Sequence, residues 1–293
     1  MNDTLLTIGL PIALAVIMFG LGLSLTVADF LRIGRYPKPV VLSLGAQLLL
    51  LPAICFGLVL LFDLPPLLAV GMMLLAASPG GTTASLFAHL FRGDVALNIT
   101  LTAINSVIAV VTLPLVVNLS LAFFEPDGPD TLGLQLGKTL QVFAIVLVPV
   151  AIGMFVRRRS PAFADRADKP VRIASAVLLA AVIVGALLAD DEVGEYLAQV
   201  GVITTLFCAV SLTLGYLVPR VAGVDARQSL SSCFEVGLHN STLAITIALS
   251  VLDNERLAVP AAVYGVLMFP LALVAGFLLR RRIGAEEPVS LAR

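Results

Sequence analysis

The feature that most constrains this chain is a series of nine apolar segments, each about as long as a helix that crosses a bilayer. They cover residues 5–28, 39–62, 66–90, 95–123, 136–156, 171–189, 196–219, 227–251 and 258–280. A hydrocarbon core about 30 Å thick takes ~20 helical residues to cross. Membrane β-strands are about half that length and alternate in polarity, which these runs do not. The chain therefore reads as an all-α polytopic membrane protein of nine transmembrane helices. The run beginning at residue 5 is too long for the apolar stretch of a signal peptide, so it reads as a first span.

Composition agrees with a bilayer. Of 293 residues, 59% are hydrophobic and 13% charged, against about 25% charged in a soluble domain. Eighteen basic and nineteen acidic side chains are too few to cover a water-facing surface of this size. A net charge of −1 excludes a basic nucleic-acid binder, so the expected environment is lipid, with no nucleic-acid partner.

The loops sort by sign. Arg32, Arg35, Lys38, Arg92, Arg157, Arg158, Arg159, Arg166, Lys169, Arg172, Arg220, Arg227, Arg280, Arg281, Arg282 and Arg293 fall in one alternating set. The other set carries Asp3, Asp63, Glu125, Asp127, Asp130, Asp190, Asp191, Glu192, Glu195, Asp253 and Glu255, with only Lys138 and Arg256 as bases. The positive-inside rule puts the N-terminus outside and the C-terminus in the cytoplasm, across an inner (plasma) membrane. The transmembrane domain is expected over 1–282, with a cytoplasmic tail at 283–293. The longest connections are 124–135 and 157–170.

Cys55, Cys208 and Cys233 lie in apolar runs with no paired spacing and read as buried thiols. Two other spans carry chemistry. The third reads Ser78-Pro79-Gly80-Gly81-Thr82-Thr83-Ala84-Ser85. Pro79 lacks an amide hydrogen and the Gly pair is a poor helix former, so the helix should break, with Thr82, Thr83 and Ser85 placed to cap a new half-helix. In a membrane such a break must face protein or a wet cavity. The eighth span contains Glu235, Gly237, His239 and Asn240. Glu235 is the one charge deep in any span; it costs on the order of 3 kcal/mol to insert and marks a functional site. His239, four residues on, would share its face if the turn were regular.

These two spans are five helices apart and so run in opposite directions. Spans one to four pair in order with spans six to nine, an inverted repeat with its first half over 5–123 and its second over 136–282, whose discontinuous helices meet near the midplane. That pattern belongs to secondary transporters. Half-helix N-termini there suit a carboxylate, and freed carbonyls with acidic side chains suit a cation. Gln47 in span two, and Asn98, Thr102, Asn105 and Ser106 along one face of span four, are further polar positions. Hydrogen bonding between helices explains them equally well.

Four runs carry a family resemblance: Met18-Phe19-Gly20-Leu21-Gly22-Leu23, Ser78-Pro79-Gly80-Gly81-Thr82, Arg92-Gly93-Asp94-Val95-Ala96-Leu97 and Glu235-Val236-Gly237-Leu238-His239-Asn240-Ser241. Together they resemble the bile acid:sodium symporter family in its nine-helix form. The resemblance implies a core domain with two crossed broken helices, a smaller panel domain, and sodium-driven uptake of a small organic anion. Sodium would be the coupling ion, with no other cofactor.

It also implies sites. One sodium site would use Glu235, Val236, Leu238 and Gln47, with His239 where the family usually has glutamine. The other would use Glu235, Ser85, Asn98 and Thr102, and here Ala84-Ser85 replaces the family's Ser-Asn. Thr82 and Asn240 match places lining the substrate cavity, and Gly81 and Thr83, at the same half-helix start, are expected to meet the substrate with them. A neutral imidazole is a poor sodium ligand and a charged one repels a cation, so the alternative is proton-linked coupling through His239. A related efflux carrier of arsenite type is the other alternative, weakened by the lack of Cys in span three. An intramembrane enzyme would need a second acid or a metal cluster beside Glu235 and His239, so an enzyme is not expected.

Overall fold

The computed structural model describes residues 32–125, 136–167 and 193–286, with isolated positions between 15 and 28 and at 170 and 173. The expected spans 5–28 and 171–189 therefore lie outside the described residues, apart from those positions. So do the segment 126–135 and the end of the chain from 287.

The described residues are almost entirely helical, with no strand among them. Helix α1 covers Pro37–Leu61, one apolar helix of 25 residues interrupted by a π-helical turn at Ala46–Leu50. Next come α2 (Pro66–Ala77), α3 (Thr82–Leu90), α4 (Val95–Phe124) and α5 (Leu136–Arg159). After these come α6 (Val193–Val221), α7 (Ala226–Gly237), α8 (Ser241–Ser250) and α9 (Val259–Glu286), the last led by a 3-10 turn at Arg256–Ala258. Helices α2 and α3 are halves of one expected span, and α7 and α8 halves of another.

Three helices among the described residues are long and apolar enough to cross a membrane: Pro37–Leu61, Val200–Val221 and Arg256–Arg280. Helix α4 adds a fourth if its halves, Val95–Ala109 and Val111–Phe124, form one span bent by 52°. Pro114 accounts for the bend, because its ring removes the hydrogen bond to the carbonyl four residues back.

Helix starts follow local chemistry. Asp94 caps α4, accepting from the Leu97 amide at 3.0 Å, and Asp225 caps α7, accepting from Gln228 at 3.0 Å. Expected boundaries agree with the helices to within a few residues, with two differences. Arg157–Arg159 finish α5, and 161–167 are helical again rather than open loop, with Arg157 paired to Asp165. The last helix continues past Arg282 to Glu286.

The core gathers around α7. Helix α6 packs on it so closely at Gly215 that a Cβ there would sit 2.8 Å from Val236 and 2.9 Å from Cys233. Phe234 meets Phe87 and Phe91 of the α3 segment at 5.6 and 5.7 Å, and Phe91 meets Phe277 of α9 edge-on at 5.2 Å. Helix α2 is buried from Leu68 to Ala77, so it has protein on all sides. Cys55, Cys208 and Cys233 are buried free thiols, as read from their apolar runs.

Candidate functional site

The first break follows from Pro79. Ser78 is extended (φ −72°, ψ 139°), as sterics ask of a residue before proline, and its hydroxyl turns back to the Leu74 carbonyl at 2.9 Å. Helix α3 restarts after Gly81, which is extended and has no side chain to cap with. This corrects the expectation that Thr82, Thr83 and Ser85 cap the half-helix. Thr82 and Thr83 are already its first two residues, one step too late for that role. Thr83 and Ser85 are half-buried, and the Thr82 side chain lies outside the described set.

The second break is built differently. Helix α7 stops at Gly237, and Asn240 starts α8 with a side-chain cap, its Oδ1 accepting from the Leu243 amide at 3.0 Å. Because the helix ends there, no regular turn carries His239 onto the Glu235 face, and that conditional expectation falls.

The two breaks cross. Gly80 and His239 pair as a single antiparallel bridge. The Gly81 amide donates to the Leu238 carbonyl at 2.9 Å, and the Asn240 amide donates to the Pro79 carbonyl at 2.8 Å. Each broken helix thus satisfies polar backbone groups that the other exposes, the condition for a break at membrane depth. Gly80 is required sterically: a Cβ there would run into the Glu235 carboxylate and lie 2.7 Å from its carbonyl oxygen.

Among the described residues, Glu235 is the buried member of the Asp, Glu, Lys and Arg side chains, at 1% exposure. Its Oε2 accepts from the Thr102 hydroxyl at 2.5 Å, while Oε1 has no hydrogen-bond partner. Asn98, one turn before Thr102, donates Nδ2 to the Ser231 carbonyl at 2.9 Å and leaves Oδ1 unpaired. Asn105 approaches the Glu235 carboxylate from the same face of α4 without closing a hydrogen bond; both its amide atoms are buried and unpaired. The α4 stripe therefore combines hydrogen bonding between helices with unpaired amide oxygens. It bonds across to α7, and it turns spare oxygens inward. Ser106 instead bonds back to the Thr102 carbonyl at 2.7 Å.

Gln47 enters from α1, on the π turn, a distortion that often marks functional positions in helices. Its Nε2 reaches the Ser78 carbonyl at 3.2 Å and His239 Nδ1 at 3.3 Å, and its Oε1 is buried and unpaired. His239 is fully buried, stacked on Phe207 (5.4 Å, 24°) and set edge-on to Tyr264 (5.5 Å, 72°). Val236 and Leu238 are buried at the end of α7. The Leu238 carbonyl already holds the Gly81 amide, and the Tyr264 hydroxyl donates to the Gly237 carbonyl at 2.8 Å.

The structure thus gathers Gln47, Asn98, Thr102, Glu235, Val236, Leu238 and His239 around one crossing, with Gly81 and Asn240 at the half-helix starts. Sequence reasoning put Asn105 on the right face without assigning it a role, and it missed Phe207 and Tyr264. Single aromatics in apolar spans carry no signal that separates them from lipid-facing ones. The unpaired buried atoms include the Glu235 carboxylate oxygen and the Gln47, Asn98 and Asn105 amide oxygens, donors that suit a hard cation rather than a soft metal, beside Asn105 Nδ2, His239 Nε2 and Ser241 Oγ.

Residues 11–199 match the model of the Sodium Bile acid symporter family. A probable chloroplastic sodium/metabolite cotransporter of Arabidopsis thaliana is 31% identical over 87% of this chain and 62% of its own length. An uncharacterized sodium-dependent transporter of Bacillus subtilis is 29% identical over 88% of this chain and 78% of its own. The ileal sodium/bile acid cotransporter of Homo sapiens is 28% identical over 92% and 77% respectively. The chain belongs to the sodium bile acid symporter family, and so to membrane transporters rather than enzymes.

Proposed function

We propose that the chain is a sodium-coupled symporter that moves a small organic anion by alternating access. One observation carries this reading: Glu235 Oε1 and the Asn98, Asn105 and Gln47 amide oxygens are all buried without partners, on elements that meet at the crossing. Leaving four such atoms dry would cost on the order of 1–3 kcal/mol each. A bound cation removes that cost.

In this reading Glu235 supplies the negative charge of the cation site. Asn98, Asn105 and Thr102 support it from α4, and Gln47 supports it from α1. Carbonyls at Val236 and Leu238 complete the shell, and Ser85 lines the α3 side. Helix α3 starts without a side-chain cap, so its first amides and the helix dipole are available to a substrate carboxylate. Gly81 lets that group approach the backbone, Thr82 and Thr83 add hydroxyls, and Asn240 offers its amide nitrogen while its oxygen caps α8.

The architecture we infer is nine spans in two inverted repeats, with core and panel domains. Close approach of Gly22 and Gly153, where a Cβ on Gly22 would lie 3.0 Å from the other Cα, supports pairing of the first and fifth spans. The N-terminus would lie outside and the C-terminus in the cytoplasm of an inner membrane, by the basic-loop asymmetry.

The test is uptake of labelled small carboxylates into proteoliposomes under imposed sodium and proton gradients. Accumulation driven by sodium alone supports the reading. Accumulation driven by protons and abolished in His239→Gln would replace it with proton-linked coupling. Outward transport conferring arsenite resistance on cells would replace it with efflux.

A further inference from the structure

Gln47, His239 and Ser78 form a nearly equilateral triangle of polar groups. Gln47 Nε2 is 3.2 Å from the Ser78 carbonyl oxygen and 3.3 Å from His239 Nδ1, and Nδ1 is 3.1 Å from the same carbonyl. All three groups are fully or almost fully buried, and Gln47 Oε1 and His239 Nε2 have no partners.

No placement of protons alone leaves this triangle free of a like contact. The amide NH₂ donates to the carbonyl. If Nδ1 carries a proton, it also donates to the carbonyl, and two donors oppose each other at 3.3 Å. If Nδ1 is bare, two acceptors oppose each other at 3.1 Å. Turning the amide over puts Oε1 against the carbonyl oxygen at the same 3.2 Å. That last arrangement becomes favourable once a cation bridges the two oxygens. Six oxygens at ~2.4 Å from a hard cation are about 3.4 Å apart along each edge, close to the spacing here. A protonated Nδ1 then donates to the oxygen pair, and no like contact remains. Phe207 and Tyr264 hold the imidazole plane, so Nδ1 cannot swing away.

We propose that His239 is a positioning residue: its Nδ1–H holds the Gln47 amide in the turned, oxygen-inward state, so that Gln47 and the Ser78 carbonyl form a cation-dependent oxygen pair. The proposal rests on the sodium-coupled reading above and assigns the imidazole a role in cation affinity without making it a ligand.

The test is thermal unfolding of the purified protein against NaCl, with KCl holding ionic strength constant, for the wild type and for His239→Asn, His239→Leu, Gln47→Leu and the double Leu variant. Asn places an amide nitrogen where Nδ1 stands; Leu places none. The expected result is a sodium midpoint within about threefold of wild type for His239→Asn. For His239→Leu we expect a midpoint raised about 10–100-fold, the range for losing a group that orients a ligand. Adding His239→Leu to Gln47→Leu should change the midpoint no further. A His239→Leu variant that unfolds earlier in KCl yet keeps the wild-type sodium midpoint overturns the proposal, as does an additive double variant. A wild type with no sodium response overturns the symport reading itself, and the positioning role with it.

Discussion

The two broken helices solve the same backbone problem with opposite chemistry. At Ser78–Gly81 the chain uses Pro79 to stop the helix and two glycines to restart it, and it offers no side-chain cap to α3. At Leu238–Asn240 it has no proline, caps α8 with Asn240, and brings Glu235 and His239 to the crossing. One break supplies space and open amides. The other supplies charge and side-chain oxygens. In the proposed function the asymmetry gives a division of labour, with an anion at the first break and a cation beside the second.

The comparison breaks most completely at Glu235. Glu235→Gln keeps the shape and an acceptor for Thr102 but removes the charge. Sodium-driven uptake should fall by more than about 100-fold, beyond the 10–100-fold typical of losing a supporting group, while size-exclusion behaviour stays that of a folded protein. Gly80→Ala tests the contact between the breaks. Its methyl would collide with the Glu235 carboxylate and carbonyl, so overpacking of about 1–3 kcal/mol should lower the melting temperature and uptake together.

Exchanging the caps sharpens the contrast. Asn240→Ala should cost about 1 kcal/mol by removing the α8 cap. Gly81→Asn should gain only about a few tenths of a kcal/mol by capping α3, because Gly is itself a tolerated cap; of the atoms near a Cβ there only the Thr83 hydroxyl, at 3.3 Å, has to give way. Gly81→Asn should nonetheless lose uptake, since the new side chain occupies the amides we assign to substrate. A more stable Gly81→Asn with full uptake would remove the open helix start from the account. Tyr264→Phe deletes one buried hydrogen bond to the Gly237 carbonyl away from the half-helix starts and should cost about 1 kcal/mol in thermal unfolding.

Much of this was legible in the sequence because membranes enforce simple rules. Apolar length gave the described helices, Pro79 and the glycines gave the first break, and a lone buried carboxylate gave the centre of the candidate site. What the sequence hid was three-dimensional. The crossing of Gly80 with His239 depends on packing between residues far apart in the chain. Whether Thr82 caps a helix or lies within it turns on one residue of register. The π turn at Ala46–Leu50, which carries Gln47, has no residue signature. Asn105 shares its face with Thr102 by simple periodicity, but only the approach of Glu235 distinguishes an inward oxygen from helix-to-helix glue.

In the proposed function, Glu235 holds the coupling cation at the crossing of the two breaks. Sodium binding measured by isothermal titration calorimetry on the purified protein, wild type against Glu235→Gln, tests it without knowledge of the substrate. The expected result is saturable binding by the wild type and none detectable in the variant. Equal sodium binding by both would contradict it.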